Sequence, residues 1–324
     1  MSQYLILGFA QIDQIEQTLQ QIAVNVALRE IYRGDHIVLF TDSPEDIVPF
    51  PAGRGAIFGT LFSRCRDRAK VIQFEGNQLL EVIENPVRSL RDDYWGAYVA
   101  IIDQTKGVTI LRDPAGGLPC YYTTIGNMVA CASDVSILMR AGLARPSINW
   151  RAVGKSLYHL QLPAEETGLS DISQLLGGCG LTIGTRGITK FLFWSPWDYV
   201  GTDCHSSSQK CAADLRDVVR STVQAWASHY ARPLVGLSGG LDSSIVAECL
   251  VHAGAEVTCV TAITNDPTGD ERVYAKAVCD AINAKLIQGA YSEEDIDIEK
   301  STAANLPIPS GKLDTSKNSW RLTA

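Results

Sequence analysis

One short stretch of the sequence, residues 237–244, combines glycines, serines and an acid in an order suited to phosphate chemistry. It reads Leu-Ser-Gly-Gly-Leu-Asp-Ser-Ser. Two glycines allow a tight turn and let the backbone approach an anion without Cβ obstruction. Backbone N–H groups at a helix start attract anions, and the serine hydroxyls would add further donors. The stretch therefore predicts a polyphosphate-binding loop, and it is not a Walker A loop because it lacks Gly-Lys-Ser/Thr.

The acid in this loop has a separate predicted role. Asp242 is negative like the phosphates, so we expect it to hold Mg²⁺ that bridges the polyphosphate. A plainer interpretation is a glycine-rich turn in which serines cap a helix and Asp242 is a favourable first-turn acid. The complete pattern, placed between a strand and a helix, favours the functional interpretation.

The elements that must position this loop alternate between strand and helix. A strand at 234–237 precedes the loop, and a helix from Asp242 to Ala253 follows it and is closed by Gly254. A second strand (257–263), a second helix (270–283) and the start of a third strand (285–288) come next. This alternation predicts a parallel sheet with right-handed crossovers, with the loop at the carboxyl end of its first strand. On the second helix, the predicted inner face consists of Val273, Ala277, Val278, Ala281 and Ile282.

A long amphipathic helix is expected before that sheet. Ser206 to Ser208 provide an N-cap, and one apolar stripe runs along the helix. The stripe consists of Cys211, Leu215, Val218, Val219, Thr222, Val223 and Trp226. Because residues 196–208 are polar and rich in turn formers, we expect them to be a linker between domain 1–195 and domain 209–324.

The first 195 residues are rich in short apolar segments bounded by turn residues, which is typical of antiparallel strands. One helix is predicted early, from the spacing of Ile12, Ile15, Leu19, Ile22 and Val26, and a hairpin is predicted at 181–193. The remaining predicted strands are Tyr4 to Leu7, His36 to Phe40, Ala56 to Phe62, Lys70 to Phe74, Tyr94 to Ile102, Gly107 to Leu111, Pro119 to Thr123 and Met128 to Ala132.

The loop resembles that of the ATP-pyrophosphatase family, whose members release pyrophosphate while adenylating a substrate oxygen. Five other stretches resemble the asparagine synthetase-like branch of that family. They are Trp95 to Ala100, Arg112 to Tyr122, Ala132 to Leu138, Ile172 to Leu181 (in the place of the family's Pro-Gly-His turn) and Asp270 to Ala275 (Asp-Glu-Arg-Val-Tyr-Ala). The resemblance runs from about residue 90 to 290. It implies an α+β glutaminase-like domain of the Ntn type, with stacked antiparallel sheets. An α/β ATP-pyrophosphatase domain, adenine nucleotide alpha hydrolase-like, would follow.

The resemblance also implies the ligand and the site. ATP is the expected nucleotide with Mg²⁺, and its adenine is expected near the end of the second strand. Ser238 and Asp242 are the candidate catalytic residues, and Asp242 is the candidate metal ligand. The expected nucleotide contacts are Leu237, Ser238, Gly239, Gly240, Asp242, Ser243, Ser244, Val260 and Ala262.

Two departures from the family pattern change the expected reaction. Asparagine synthetases carry a cysteine directly after the initiator methionine, whose amine and thiol hydrolyse glutamine. Here that position is Ser2, and the first cysteine is Cys65. Relatives without this cysteine include β-lactam synthetases and lasso-peptide cyclases, and residues 56–62 resemble the cyclases. The second departure is that no later acidic loop or adenylate lysine occurs before Ala324. The second domain is therefore expected to be incomplete, with two or three strands and no element after Leu306.

Composition excludes other classes of protein. The chain has 324 residues with 46% hydrophobic and 20% charged residues, as in a globular protein. A formal charge of −8 argues against binding to nucleic acid or to an anionic membrane. No apolar run is long enough to span a membrane, and a cytoplasmic location is expected. The nine cysteines are widely spaced, without metal or disulfide patterns, and we expect them to be reduced core residues.

The predicted function is that of an ATP-dependent ligase that adenylates a carboxylate and then forms an amide, with a lasso-peptide macrolactam cyclase as the favoured form. The carboxylate substrate would be a precursor peptide or aspartate, and a precursor-processing protease is a candidate partner. The first alternative is an asparagine synthase that uses glutamine or ammonia, with Ser2 as an N-terminal nucleophile. The second is a non-catalytic, truncated protein that binds a nucleotide or a partner.

Overall fold

The computed structural model describes residues 2–9, 16–64, 70–75, 77–105, 107–159, 162–201, 207–230, 232–263, 269–290, 306–309 and 321–323. The chain forms two compact units. The first comprises Met1–Asp67, Val71–Thr202 and Asn305–Gly311, and the second comprises Arg68–Lys70, Asp203–Ala304 and Lys312–Ala324. The division after Thr202 falls inside the segment expected to be a linker.

The first unit contains two antiparallel six-stranded sheets. Its strands are β1 (Tyr4–Phe9), β2 (Arg29–Arg33), β3 (Ile37–Thr41), β4 (Ile47–Pro49), β5 (Gly55–Ser63), β6 (Tyr94–Gln104), β7 (Gly107–Arg112), β8 (Tyr121–Ile125), β9 (Met128–Ala132), β10 (Ser173–Gln174), β11 (Cys179–Gly184) and β12 (Gly187–Leu192). One sheet has the order β10-β8-β9-β1-β3-β2, and the other has the order β12-β11-β7-β6-β5-β4.

The helices among the described residues of this unit are α1 (Glu16–Val26), α2 (Asn77–Glu84), α3 (Pro86–Asp92), α4 (Val135–Arg140) and α5 (Trp150–Tyr158). Of these, α1 to α4 cover the outer faces of the two sheets. Leu19 of α1 and Leu138 of α4 pack on the first sheet, and Val82 of α2 and Leu90 of α3 pack on the second. A third cluster, which includes Ile6 and Ile101, lies between the two sheets. Both sheets are therefore buried on two faces, which explains the continuous apolar runs in β1, β3 and β5.

This arrangement confirms the predicted stacked antiparallel sheets, with three kinds of difference. Lys70 to Phe74 is not a strand: it forms an isolated bridge and a bend. Strands β2, β4 and β10 were not predicted, because they are short or largely polar. Helices α2 to α5 were not predicted as helices, since each has only 6–9 residues and shows too few periods for a clear pattern.

Among its described residues, the second unit contains three helices and one sheet of four strands. The helices are α6 (Ser208–Ala227), α7 (Leu241–His252) and α8 (Arg272–Ile282). The strands are β13 (Leu234–Gly236), β14 (Thr258–Ile263), β15 (Lys285–Ala290) and β16 (Arg321–Thr323), in that order across the sheet. The pairs β13–β14 and β14–β15 are parallel, as predicted from the alternation of strands and helices.

The structure corrects the expectations for the end of the sheet and for helix α8. The segment after Leu306 does contain an element, because β16 pairs antiparallel with β15 through Gly289 and Leu322. The sheet therefore has four strands. The inner face of α8 was predicted only in part. Val278 and Ile282 pack against the core of this unit as expected, but Ala275 and Cys279 are the buried residues and Val273 is 75% exposed. Both faces of this short helix carry small or apolar residues, so periodicity alone could not choose between them.

No helix among the described residues is long and apolar enough to cross a membrane.

Candidate functional site

The predicted phosphate loop connects the end of β13 to the start of α7. Gly236 is the last residue of β13, and Leu237 N donates to Val260 O at 2.8 Å, which prolongs the pairing with β14 by one bond. Leu237 is buried, whereas Gly240 is exposed. The chain thus leaves the sheet at Ser238, at the carboxyl end of a parallel strand, where open α/β sheets bind ligands.

Gly239 makes the turn and contacts the first turn of α8. Its φ is +80°, in the left-handed region where glycine is favoured. A Cβ at this position would lie 2.3 Å from Tyr274 Cβ and 2.7 Å from the Tyr274 backbone carbon. Glycine is therefore required both by the backbone conformation and by the approach of α8. The sequence motif around Tyr274 was recognised as a resemblance, but its contact with the loop was not predicted.

The serine hydroxyls of the loop bond mainly to the loop itself. Ser238 Oγ accepts from Gly240 N at 3.2 Å and lies 3.2 Å from Ser243 Oγ. Ser244 Oγ donates to Gly240 O at 2.6 Å, one turn back in the helix. The structure thus brings Ser238 and Ser243 together at the mouth of the turn, while the Ser244 proton is used within α7. Ser238 and Ser243 are better placed than Ser244 to exchange these bonds for phosphate oxygens.

Helix α7 begins in a way that suits an anion. Its N-cap is Gly240, with φ −70° and ψ 169°, and the helix has no side-chain cap hydrogen bond. The first N–H groups of a helix need an external acceptor, and the helix dipole favours a negative one. Asp242 lies in this first turn and is exposed. These features fit a polyphosphate that would contact the backbone and carry a cation to Asp242.

The described part of the chain offers no protein-only cation site near the loop. Within the described ranges, no group of three or more His, Cys, Asp or Glu side chains could hold a metal ion. Mg²⁺ usually keeps several waters and binds through one or two carboxylates together with substrate phosphates. Asp242 alone is thus compatible with a cation that arrives with the nucleotide.

The two positions expected near the adenine have different surroundings. Val260 pairs with Gly236 on one side and Ile287 on the other, and its carbonyl accepts from Leu237 N. Ala262 lies beyond the last residue of β13 and pairs only with Gly289 among the described residues. Val260 is therefore fixed within the sheet, whereas Ala262 lies further along β14, at the height of the loop.

The start of α8 is held by an ion pair. Asp270 accepts from Arg272 N at 3.1 Å and from both Arg272 Nε (2.8 Å) and Nη2 (2.6 Å). These bonds lower the pKa of Asp270 to about 2. These bonds stabilise the start of α8, whose residue Tyr274 packs against Gly239. Asp270 and Arg272 therefore stabilise the loop indirectly.

In the first unit, Arg112 and Asp113 stabilise a loop instead of facing solvent. Arg112 donates to Leu175 O (2.5 Å) and Gly116 O (2.8 Å), and its Nε has no partner among the described residues. Asp113 is fully buried and accepts from the N–H groups of Tyr98 and Gly117. Burial raises the pKa of Asp113, although these N–H donors oppose the shift. Both charged side chains are occupied by the backbone around them.

Ser2 lies just before β1 and is half-buried. Its Oγ donates to Asp46 Oδ2 at 2.7 Å. A carboxylate that accepts this proton could act as a base towards the hydroxyl, and Asp46 is only partly buried. The predicted nucleophilic role of Ser2 stays a prediction.

Comparison with known families decides the relationship of the chain. Residues 77–194 match the glutamine amidotransferase domain, and residues 214–302 match asparagine synthase. The two matches occur in the order expected for the family, and the second includes the whole loop. Together the two matches support an asparagine synthetase-like family for this chain.

The asparagine synthase domain places this asparagine synthetase-like protein among the carbon–nitrogen ligases and implies that it uses ATP. The order of the two matches also agrees with the fold, since residues 77–194 lie in the unit with antiparallel sheets. No curated protein matches the chain significantly.

Two solved structures are distantly similar to the asparagine synthetase-like chain. One is glutamine phosphoribosylpyrophosphate amidotransferase from B. subtilis complexed with ADP and GMP. It is 11% identical, with 98% of each chain covered and a TM-score of 0.37. The other is described as the allosteric regulatory enzyme of purine biosynthesis. It is 10% identical, with 90% of this chain and 80% of that chain covered and a TM-score of 0.35. Similarity at this level does not establish a shared fold or function.

Proposed function

We propose that the asparagine synthetase-like chain activates a substrate carboxylate with ATP and joins it to an amine, as in lasso-peptide macrolactam formation. The observation that supports this best is the uncapped start of α7 next to the left-handed turn at Gly239. Together they present backbone N–H groups at the carboxyl end of β13. Such a site suits the β- and γ-phosphates of ATP, which leave as pyrophosphate.

The proposed reaction has two steps. The carboxylate oxygen attacks the α-phosphorus of ATP, and the bond from that phosphorus to the bridging oxygen breaks, which releases pyrophosphate. The amine then attacks the acyl-adenylate carbon, AMP leaves, and the amine loses a proton to water. The chain's N–H groups and the Ser238 and Ser243 hydroxyls would stabilise charge on the departing pyrophosphate, an electrostatic contribution worth several kcal/mol in comparable sites. Mg²⁺, held by Asp242, would neutralise part of the phosphate charge.

The source of the amine is inferred from the first unit. Glutamine hydrolysis in this family needs a cysteine next to the initiator methionine, and this chain has Ser2 there, hydrogen-bonded to Asp46. We therefore favour an amine that belongs to the substrate itself, such as the N-terminus of a peptide whose Asp or Glu side chain is activated. In this proposal a separate protease would free that N-terminus.

The amidotransferase match at 77–194 keeps asparagine synthesis as the second candidate. The two candidates differ in their need for Ser2. A glutaminase activity that disappears in Ser2→Ala would favour asparagine synthesis, whereas the absence of glutaminase activity from the parent chain favours a substrate-borne amine.

Replacement of Asp242 tests the adenylation site. We expect Asp242→Asn to lower ATP–pyrophosphate exchange by about a hundredfold or more, because the cation loses its ligand where charge develops. Exchange is measured with aspartate and with a precursor peptide as carboxylate donors. The matched control is Asp280→Asn, which changes an exposed acid of α8 that pairs with Lys276. An exchange rate in Asp242→Asn equal to that of the parent would contradict the assignment.

Calorimetry with Mg·ATP separates this proposal from the non-catalytic alternative. The proposal requires saturable binding that weakens in Asp242→Asn and persists in Asp280→Asn. A parent chain that binds no Mg·ATP would leave only a partner-binding role.

A further inference from the structure

A cleft of about 590 Å³ lies in the first unit, between α3 and the strand β12. Its volume is within the range of sites that bind small molecules or short peptide segments. Phe191 and Phe193 form an apolar wall, and Arg88 and Arg91 of α3 line the opposite side. Asp198 and Glu84 also line it. Neither the residues of the phosphate loop nor Ser2 line this cleft.

The strand beside this cleft has an open edge. Among the described strands, β12 pairs only with β11, from Gly184↔Gly187 at the turn to Cys179↔Leu192. Phe193 N donates to Gly178 O, which continues the same register. In an antiparallel pair, alternate residues bond to the partner strand, so the backbone groups of Ile188, Lys190 and Leu192 face away from β11. They form a row of donors and acceptors that an added strand could use.

Side chains of an added strand would reach the cleft. Gly180 of β11 leaves room for the Phe191 ring, since a Cβ there would lie 2.6 Å from Phe191 Cζ. Phe191 and Phe193 therefore lie on the face that α3 covers, and they pack against its apolar cluster. Alternate side chains of a peptide paired with β12 would point to the same face.

The two arginines give the cleft a preference for one carboxylate. Arg91 holds Asp92 with two bonds, Nε–Oδ1 at 2.7 Å and Nη2–Oδ2 at 3.0 Å. Arg88 is 77% exposed at its side chain and makes a longer contact with Asp92, 3.6 Å from Nε to Oδ2. The carboxylate of Asp92 thus contacts two guanidinium groups, and Arg88 keeps N–H donors for a second carboxylate. Asp198 and Glu84 on the other walls disfavour a peptide with several acids.

We propose that the open edge of β12 and the adjoining cleft bind an extended peptide segment that carries a single carboxylate, which Arg88 holds. Main-chain hydrogen bonds to β12 would supply affinity, and the carboxylate and the apolar wall would supply specificity. A domain with Ser2 at the nucleophile position would then serve as a peptide-binding unit.

Fluorescence anisotropy with labelled peptides tests this surface. The probe is an alternating threonine–valine hexapeptide with one aspartate, an amidated C-terminus and an N-terminal fluorescein, and its partner has asparagine in place of aspartate. We expect saturable binding of the aspartate peptide. Arg88→Ala should weaken it about tenfold or more, because a charged hydrogen bond is lost, while leaving the asparagine peptide unaffected. Arg151→Ala, an exposed arginine of α5 outside the cleft, is the matched control.

A second variant tests the strand edge. Leu192→Pro removes an N–H that faces away from β11, so the sheet keeps its own bonds while an added strand loses one. We expect weaker binding of both peptides, with an unchanged circular dichroism spectrum. In the parent chain, peptide binding should slow amide exchange at Lys190 and Leu192. No saturable binding, or equal affinities in Arg88→Ala and Arg151→Ala, would overturn the proposal. The assay contains no ATP, so its outcome is independent of the proposed ligase activity.

Discussion

At the scale of single residues, the two glycines of the phosphate loop have different tasks. Gly239 adopts a positive φ and lies against the backbone of Tyr274. Gly240 has an ordinary φ of −70° and serves as the N-cap of α7. A Cβ on Gly240 would meet only Ser238 Oγ, at 3.2 Å. Close packing requires glycine at position 239 but not at position 240, and the sequence alone does not show this difference.

Alanine at each glycine should separate these tasks. Gly239→Ala is expected to lower the free energy of unfolding by about 1–3 kcal/mol, because of backbone strain and the clash with α8. Gly240→Ala is expected to cost less than about 1 kcal/mol, since its conformation suits any residue and only a helix-capping preference is lost. Urea unfolding measures the stability, and calorimetry with Mg·ATP should show the larger loss of affinity in Gly239→Ala. Equal stabilities of the two variants would show that the contact with α8 has no energetic role.

At the scale of elements, the apolar stripe of α6 is buried only in the second half of the helix. The predicted stripe began at Cys211, but Leu215 and Val218 are 63% and 59% exposed. The buried positions are Ser221 and Ala225, in the second half of the helix. This half packs against α7, where Arg220 pairs with Glu248 at 3.2 Å. The helix itself was predictable from its period, whereas the extent of its contact was not.

The change in the free energy of unfolding caused by a substitution on α6 should depend on the burial of the residue and not on its place in the apolar pattern. Ala225→Leu is expected to lower the free energy of unfolding by about 1–3 kcal/mol, because the added methylenes overpack a buried site. Leu215→Gln is expected to change it by less than about 0.5 kcal/mol, as at most exposed positions. Urea denaturation of the two variants measures both effects. A greater loss for Leu215→Gln would mean that this half of the helix is covered in solution.

At the scale of the first unit, a polar link joins the two sheets near the ends of two strands, β3 and β6. His36 precedes β3 of the first sheet, and Asp103 belongs to β6 of the second. His36 Nδ1 lies 2.9 Å from Asp103 Oδ1, and His36 N donates to Asp103 Oδ2 at 3.4 Å. Asp103 is 8% exposed, so water cannot readily replace these bonds. The apolar cluster between the sheets supplies non-directional attraction, and this link adds a directional contact.

Removal of this link should cost stability. Asp103→Ala is expected to lower the free energy of unfolding by about 1–3 kcal/mol, because buried donors lose their acceptor. The control is Glu166→Ala, which breaks an exposed ion pair with Lys155 and should have little effect. Chemical denaturation followed by circular dichroism compares the two variants. Similar losses in both would show that burial gives the His36–Asp103 link no advantage.

The sequence by itself determined the features that depend on local order: the loop at 237–244, the alternation of strands and helices around it, and most strands of the first unit. These follow from periods of two or four residues and from turn residues, which act over short distances. It could not determine which face of α8 is buried, the contact of Gly239 with Tyr274, or the link from His36 to Asp103. The last two join residues 35 and 67 positions apart, and all three exist only because packed sheets and helices bring the residues within contact distance. Asp242 and Ser238 could thus be found from the sequence, while the support behind their loop was decided by the tertiary structure.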